Sequence, residues 1–176
     1  LGDVYKRQGI SGALQNDPSE APILGVYVNN YSYSKMDWFL DKRTSIDSAV
    51  ENADGSTTYH VTTTLKNTMT SQEKAEMPGY FQGHNGISQD IDDEVLRLYL
   101  YAPAGGSISD IKTSGSGSIE MNEATHDGLK VAWGGVHMLL GQDIKVEYTV
   151  TTSKDSGHKE LQVRTTPTAQ TFEQDK

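Results

Sequence analysis

Side chains capable of chemistry are scattered through this chain rather than gathered. The densest group is acidic, with Asp90, Asp92, Asp93 and Glu94 close together, and oxygen ligands at alternate positions are what a calcium loop supplies. The glycine and the closing glutamate of an EF-hand do not follow, so the default is a solvated acidic loop, with Asp90, Asp92 and Asp93 as its cation-binding candidates. The five histidines, His60, His84, His126, His137 and His158, stand singly, and none has the i, i+4 partner of a zinc-protease helix. His84, beside Asn85 in a long stretch without strand pattern, is the one retained as a binding candidate. Gly115-Ser116-Gly117-Ser118 lacks the Gly-x-Ser-x-Gly spacing of a nucleophile elbow and reads as a flexible loop. Trp38 and Trp133, with Tyr99 and Tyr101, offer ring faces for a sugar platform, although aromatics in all-β domains more often pack the core. A glycosidase would need two carboxylates roughly 5 to 10 Å apart across a cleft, a separation that sequence does not fix. No catalytic residue and no cofactor emerges from these motifs.

Composition narrows the classes further. Acidic residues outnumber basic ones 24 to 15, for a net charge of -9, and such a field repels phosphate backbones, so nucleic acid is not an expected partner. There is no cysteine, which removes disulfide scaffolds, thiol nucleophiles and thiolate zinc sites together. At 176 residues the chain is long enough for one domain whose core needs no metal or disulfide.

The elements that must position these residues are mostly strands. Ile23-Leu24-Gly25-Val26-Tyr27-Val28 reads as a strand buried on both faces and broken by Asn29-Asn30. Met36, Phe39 and Leu40 recur at helical spacing behind a candidate Ser34 cap, giving one or two helical turns. Beyond them period two dominates. Ile46 to Glu51 and Tyr59 to Lys66 flank the Asp54-Gly55 turn, and Leu96, Leu98 and Leu100 alternate with Arg97, Tyr99 and Tyr101. Ile108 to Lys112, Ser118 to Met121 and Leu129 to Trp133 are shorter candidates, and Gly134-Gly135 suggests a bulge or a close backbone approach. Ile144, Val146, Tyr148 and Val150 form another strand, and Leu161, Val163 and Thr165 the last. Between Thr68 and Glu94 only Thr70-Ser71-Gln72-Glu73 shows a pattern, a capping box ahead of Pro78. The expected fold is mainly β: an immunoglobulin-like antiparallel β-sandwich with one or two short helical turns.

The chain divides into four segments. Asp3-Val4-Tyr5-Lys6-Arg7-Gln8 is what GAT GTG TAT AAG AGA CAG encodes, a string resembling a transposon adapter used in sequencing, so residues 1–8 are expected to be read-through rather than native. Residues 9–22 read as the remnant of a preceding region or a loop, 23–170 as the sandwich domain and 171–176 as a polar tail.

Two stretches resemble a known family. Gly25-Val26-Tyr27-Val28-Asn29-Asn30 followed by Lys35-Met36-Asp37-Trp38-Phe39-Leu40-Asp41 resembles the signature of domain of unknown function 4012, roughly Val-x-Val-Asn-Asp, a spacer, then Lys-Met-Asp-Tyr-Tyr-Leu. The chain departs from it with Asn30 for the aspartate and Trp38-Phe39 for the tyrosines. Leu98-Tyr99-Leu100-Tyr101-Ala102-Pro103-Ala104-Gly105 is similar to the family's strand ending in Ala-Pro-x-Gly, and Val163-Arg164-Thr165-Thr166-Pro167-Thr168 to its closing strand. The resemblance implies a large exported protein of Gram-positive, mainly actinobacterial, cells, extracytoplasmic at the cell surface and membrane-anchored through a segment upstream of this fragment. Its implied partners are cell-envelope polysaccharide or other envelope proteins. The family has no established catalytic residue, so Lys35, Asp37 and Trp38 enter as binding candidates of unassigned role beside His84. Two expectations stand together: a non-catalytic envelope module, structural or glycan-binding, and part of an enzyme on envelope polysaccharide whose active site a missing N-terminal region completes.

Overall fold

The computed structural model describes residues 14–32, 34–78, 81 and 93–169. Two sheets make a mainly β sandwich. Its strands are β1 (Ile23–Asn30), β2 (Leu40–Glu51), β3 (Thr57–Asn67), β4 (Glu94–Tyr101), β5 (Ser107–Gly115), β6 (Ser118–His126), β7 (Leu129–Met138), β8 (Asp143–Thr151) and β9 (Gln162–Thr165). One sheet has five strands in the order β6-β7-β4-β1-β9 and the other four in the order β2-β3-β8-β5. All pairings are antiparallel except that of β1 with β9, which is parallel. Among the described residues, short helical turns stand at Met36–Phe39, Ser71–Glu76 and Lys154–Ser156.

Alternation decides which side chains meet between the sheets. Leu24, Val26 and Val28 of β1, Leu96, Leu98 and Leu100 of β4, and Val136 and Met138 of β7 face Val61 and Leu65 of β3 and Ile144, Val146, Tyr148 and Val150 of β8 in one buried cluster. Each such aliphatic side chain contributes about 1.5–3 kcal/mol by leaving water. A smaller apolar cluster, Met36, Phe39 and Met69, lies under the helical turn at one end.

The turns obey local chemistry. β6 and β7 join through Asp127-Gly128, with φ of 49° and 81°, the paired positive angles of a two-residue hairpin that Asp-Gly tolerates best. Thr70 caps Ser71–Glu76 through its hydroxyl and Glu73 answers to the Thr70 backbone, the reciprocal box expected there.

Several elements differ from the sequence expectation. β1 runs through Asn29-Asn30, because both still pair with β4, and its outward face is only half covered, Tyr27 being partly exposed. β2 starts at Leu40 rather than Ile46, its first residues being held by Asn67 and Lys66 of β3. β6 and β7 extend past Met121 and Trp133. Gly134-Gly135 makes no bulge, since both residues keep register with β4 and β6. Close approach explains Gly134: a Cβ there would sit 2.7 Å from the Glu120 carbonyl oxygen. The register shifts fall instead at Ile46/Ser48 in β2 and Ser109/Lys112 in β5, both edge strands, where irregular pairing discourages edge-to-edge association.

Candidate functional site

β1 delivers the chain to one end of the five-stranded sheet, and Asn30 organises the turn beyond it. Its side-chain oxygen accepts from the Ser32 backbone N–H at 2.8 Å and the Ser32 hydroxyl at 3.1 Å, while Nδ2 donates to the Ser34 carbonyl at 2.7 Å and to Asp37 Oδ1 at 3.3 Å. An aspartate could do only the accepting half of this and would set a second carboxylate against Asp37. The Ser34 hydroxyl, bonded to that of Ser32 at 2.6 Å, accepts from the Met36 N–H at 3.3 Å. The expected turn is therefore a 3-10 turn, Met36–Phe39, entered at Lys35 without a side-chain cap on that residue.

This turn buries Met36 and Phe39 and turns Lys35, Asp37 and Trp38 outward. Trp38 is 60% exposed, the most exposed large apolar side chain among the described residues. Beside it opens a cavity of about 280 Å³, floored by Val28, Leu40 and Leu96 and walled by Asn30, Lys35, Asp37 and Phe81 on one side and Thr166 to Ala169 on the other. The Lys35 N–H donates to the Phe81 carbonyl at 2.7 Å and the Lys35 ammonium lies 5.7 Å from the Phe81 ring centre. A flat exposed ring beside a cation and a carboxylate is able to stack on a sugar face and hydrogen-bond its hydroxyls, while the Asn30 amide is spent on holding the turn.

Under this corner lies a residue whose role sequence reasoning missed. Glu94 opens β4 with no exposed surface, and neither carboxylate oxygen has a hydrogen-bond partner among the described residues. Burial first, then the charges of Asp37 and Asp93, push its carboxyl up to about 9. At neutral pH it is therefore a protonated acid. The signal was present in the alternation, since Glu94 has the same parity as Leu96, Leu98 and Leu100; counting it with the acidic run hid that.

The remaining predicted residues divide. Lys35, Asp37 and Trp38 come together. His84, Asp90 and Asp92 lie outside the described residues. Asp93 accepts from or pairs with His137 Nδ1 at 3.3 Å through Oδ2, while Oδ1 is buried and unpartnered among the described residues. Among the described residues no group of three His, Asp or Glu side chains is disposed to hold a metal ion. Tyr99 pairs with Trp133 on the outer face of the five-stranded sheet, and the Tyr101 hydroxyl meets His126 Nδ1 at 2.8 Å, whereas Trp38 stands on the turn Met36–Phe39. None of these three rings lines the cavity beside Trp38.

Fold and site together define a β-sandwich with a polar, aromatic-rimmed pocket at one end of its larger sheet. Comparison of the chain with protein-family models, with curated proteins and with solved structures gives no match.

Proposed function

We propose that this chain is a non-catalytic, extracytoplasmic module of a larger cell-envelope protein, of the kind its resemblance to domain of unknown function 4012 implies, and that it binds envelope glycan at the Trp38 pocket. The observation that carries the reading is Trp38 itself. A tryptophan left 60% exposed next to a 280 Å³ cavity stabilises nothing in the fold comparable to what its burial would. Lys35 and Asp37 supply a donor and an acceptor to fix a stacked sugar, and Asn30, whose amide is spent within the turn, holds Asp37 in place.

Titration of the purified chain with soluble wall-polysaccharide fragments tests this. Trp38→Ala should weaken binding at least about tenfold, or about 1.4 kcal/mol, with little change in melting temperature because the ring is exposed. Unchanged affinity in Trp38→Ala would remove the pocket from the account.

The enzymatic alternative draws on one observation, a carboxylic acid held protonated next to a second carboxyl group, which is how glycosidases prepare an acid. Against it, Glu94 has no accessible surface from which to reach a substrate. Release of reducing ends from wall glycan, abolished by Asp37→Ala, would favour the enzyme over the binding module.

A further inference from the structure

The outer face of the five-stranded sheet holds a cation that, among the described residues, meets two aromatic rings and no anion. Arg97 points outward from β4, its guanidinium carbon 4.0 Å from the Tyr31 ring centre and 5.5 Å from that of Trp133. Among the described residues its side chain has no carboxylate partner and no hydrogen-bond acceptor. Arg97 is thus held by two rings and by no anion, in a chain with 24 acidic residues against 15 basic ones. Both rings lie within cation–π reach of the guanidinium, whose planar fork of donors matches a carboxylate.

Register supplies the surroundings. Asn122, Trp133, Tyr99 and Tyr27 lie side by side on four adjacent strands, which at the usual strand spacing of about 4.8 Å makes a three-ring row roughly 10 Å from first ring to last. The next row is Glu120, Gly135, Arg97 and Asn29. Gly135 is exposed, and a Cβ there would meet nothing within 4 Å, so a trough opens directly beside Arg97. Further along the sheet this face is closed, where Asn16 donates to the Asp127 carbonyl at 3.0 Å and Leu129 and Val131 are covered. The trough is therefore the open part.

We propose that this trough is a second ligand site, taking a sugar that bears a single carboxylate, a uronic acid within a glycan, with the carboxylate on Arg97 and the ring on Trp133. Charge complementarity chooses the ligand. One unpartnered guanidinium suits one carboxylate, whereas Glu120 across the trough and the net charge of -9 oppose a densely charged polyanion. The sugar half of the assignment rests on the glycan-binding reading; the carboxylate half rests on Arg97 alone.

The test is titration of the full chain with a glucuronate-containing oligosaccharide, with its carboxyl-reduced neutral counterpart, and with a short peptide bearing a free C-terminal carboxylate. The acidic oligosaccharide should bind at least tenfold more tightly than the reduced one, and the preference should shrink as salt rises. Arg97→Gln should abolish the preference, and Gly135→Leu, whose Cβ enters space with no atom within 4 Å, should abolish it too while the melting temperature holds. Trp38→Ala should leave the preference intact, so loss of neutral-glycan binding in that variant and loss of acid preference in Arg97→Gln report separately on the two sites. Equal affinity for acidic and reduced sugars, a preference that survives Arg97→Gln, or tighter binding of the peptide than of the uronide would each overturn the proposal.

Discussion

The two sheets treat their polar groups differently. In the four-stranded sheet the buried ones are closed upon one another: the Thr63 hydroxyl lies 3.0 Å from the Tyr148 hydroxyl and 3.0 Å from that of Thr44, and Asn67 donates to the Met138 carbonyl and accepts from the Met69 N–H. On its solvent face Thr62 donates to Asp47 at 2.6 Å and Lys145 to Glu147 at 2.9 Å. Among the described residues, the five-stranded sheet leaves the carboxylate oxygens of Glu94 unpartnered inside and the guanidinium of Arg97 without an anion outside. Buried polar groups without partners cost free energy, so a fold keeps them only where something else requires them. One sheet closes its buried polar groups on one another; the other, among the described residues, leaves a carboxyl unmet inside, beyond the reach of solvent, and a guanidinium without an anion outside.

The contrast can be broken most strongly at Glu94. Its folded pKa, pushed to about 9, stands above the unfolded value, so the contribution it makes is full below about pH 4.5 and is lost as pH climbs towards 9. Glu94→Gln keeps the shape and removes the ionisation. The variant should match the parent at pH 4 and exceed it at pH 8 by on the order of 5 kcal/mol, roughly 10–20 °C in melting temperature. Equal stability of the two proteins at pH 8 would mean that Glu94 is not buried as described. The same manipulation in the other sheet has the opposite sign: Tyr148→Phe removes a satisfied hydroxyl from the Thr63 pair and should cost about 1 kcal/mol at every pH from 5 to 8, read by urea denaturation. A stabilised Tyr148→Phe would place the unmet groups in the wrong sheet.

Much of this architecture was legible in alternation. The inward faces of β3, β4 and β8 can be read from Val61 and Leu65, from Leu96, Leu98 and Leu100, and from Ile144 to Val150, because one-sided burial imposes period two. Strand ends were less legible. Asn29-Asn30 carries poor strand formers that pairing with β4 nevertheless holds extended, and Gly134-Gly135 looks like an interruption where β6 simply comes too close for a side chain. The corner was half legible: resemblance singled out Lys35, Asp37 and Trp38, but not the Asn30 amide that pins them, since its bonds run to residues four and seven positions away in a turn with no periodicity. Arg97 and Tyr31 were invisible as a pair because sheet register, not sequence spacing, brings Trp133 to them.

Backbone amide NMR of the folded chain during titration with wall-glycan fragments measures the difference between the sheets directly. The account predicts shifts concentrated at Asn30, Lys35 and Trp38, with uronide-dependent shifts at Arg97 and Gly135, while Thr62, Thr64, Lys145 and Glu147 stay silent. Shifts centred on that second group, in the four-stranded sheet, would contradict it.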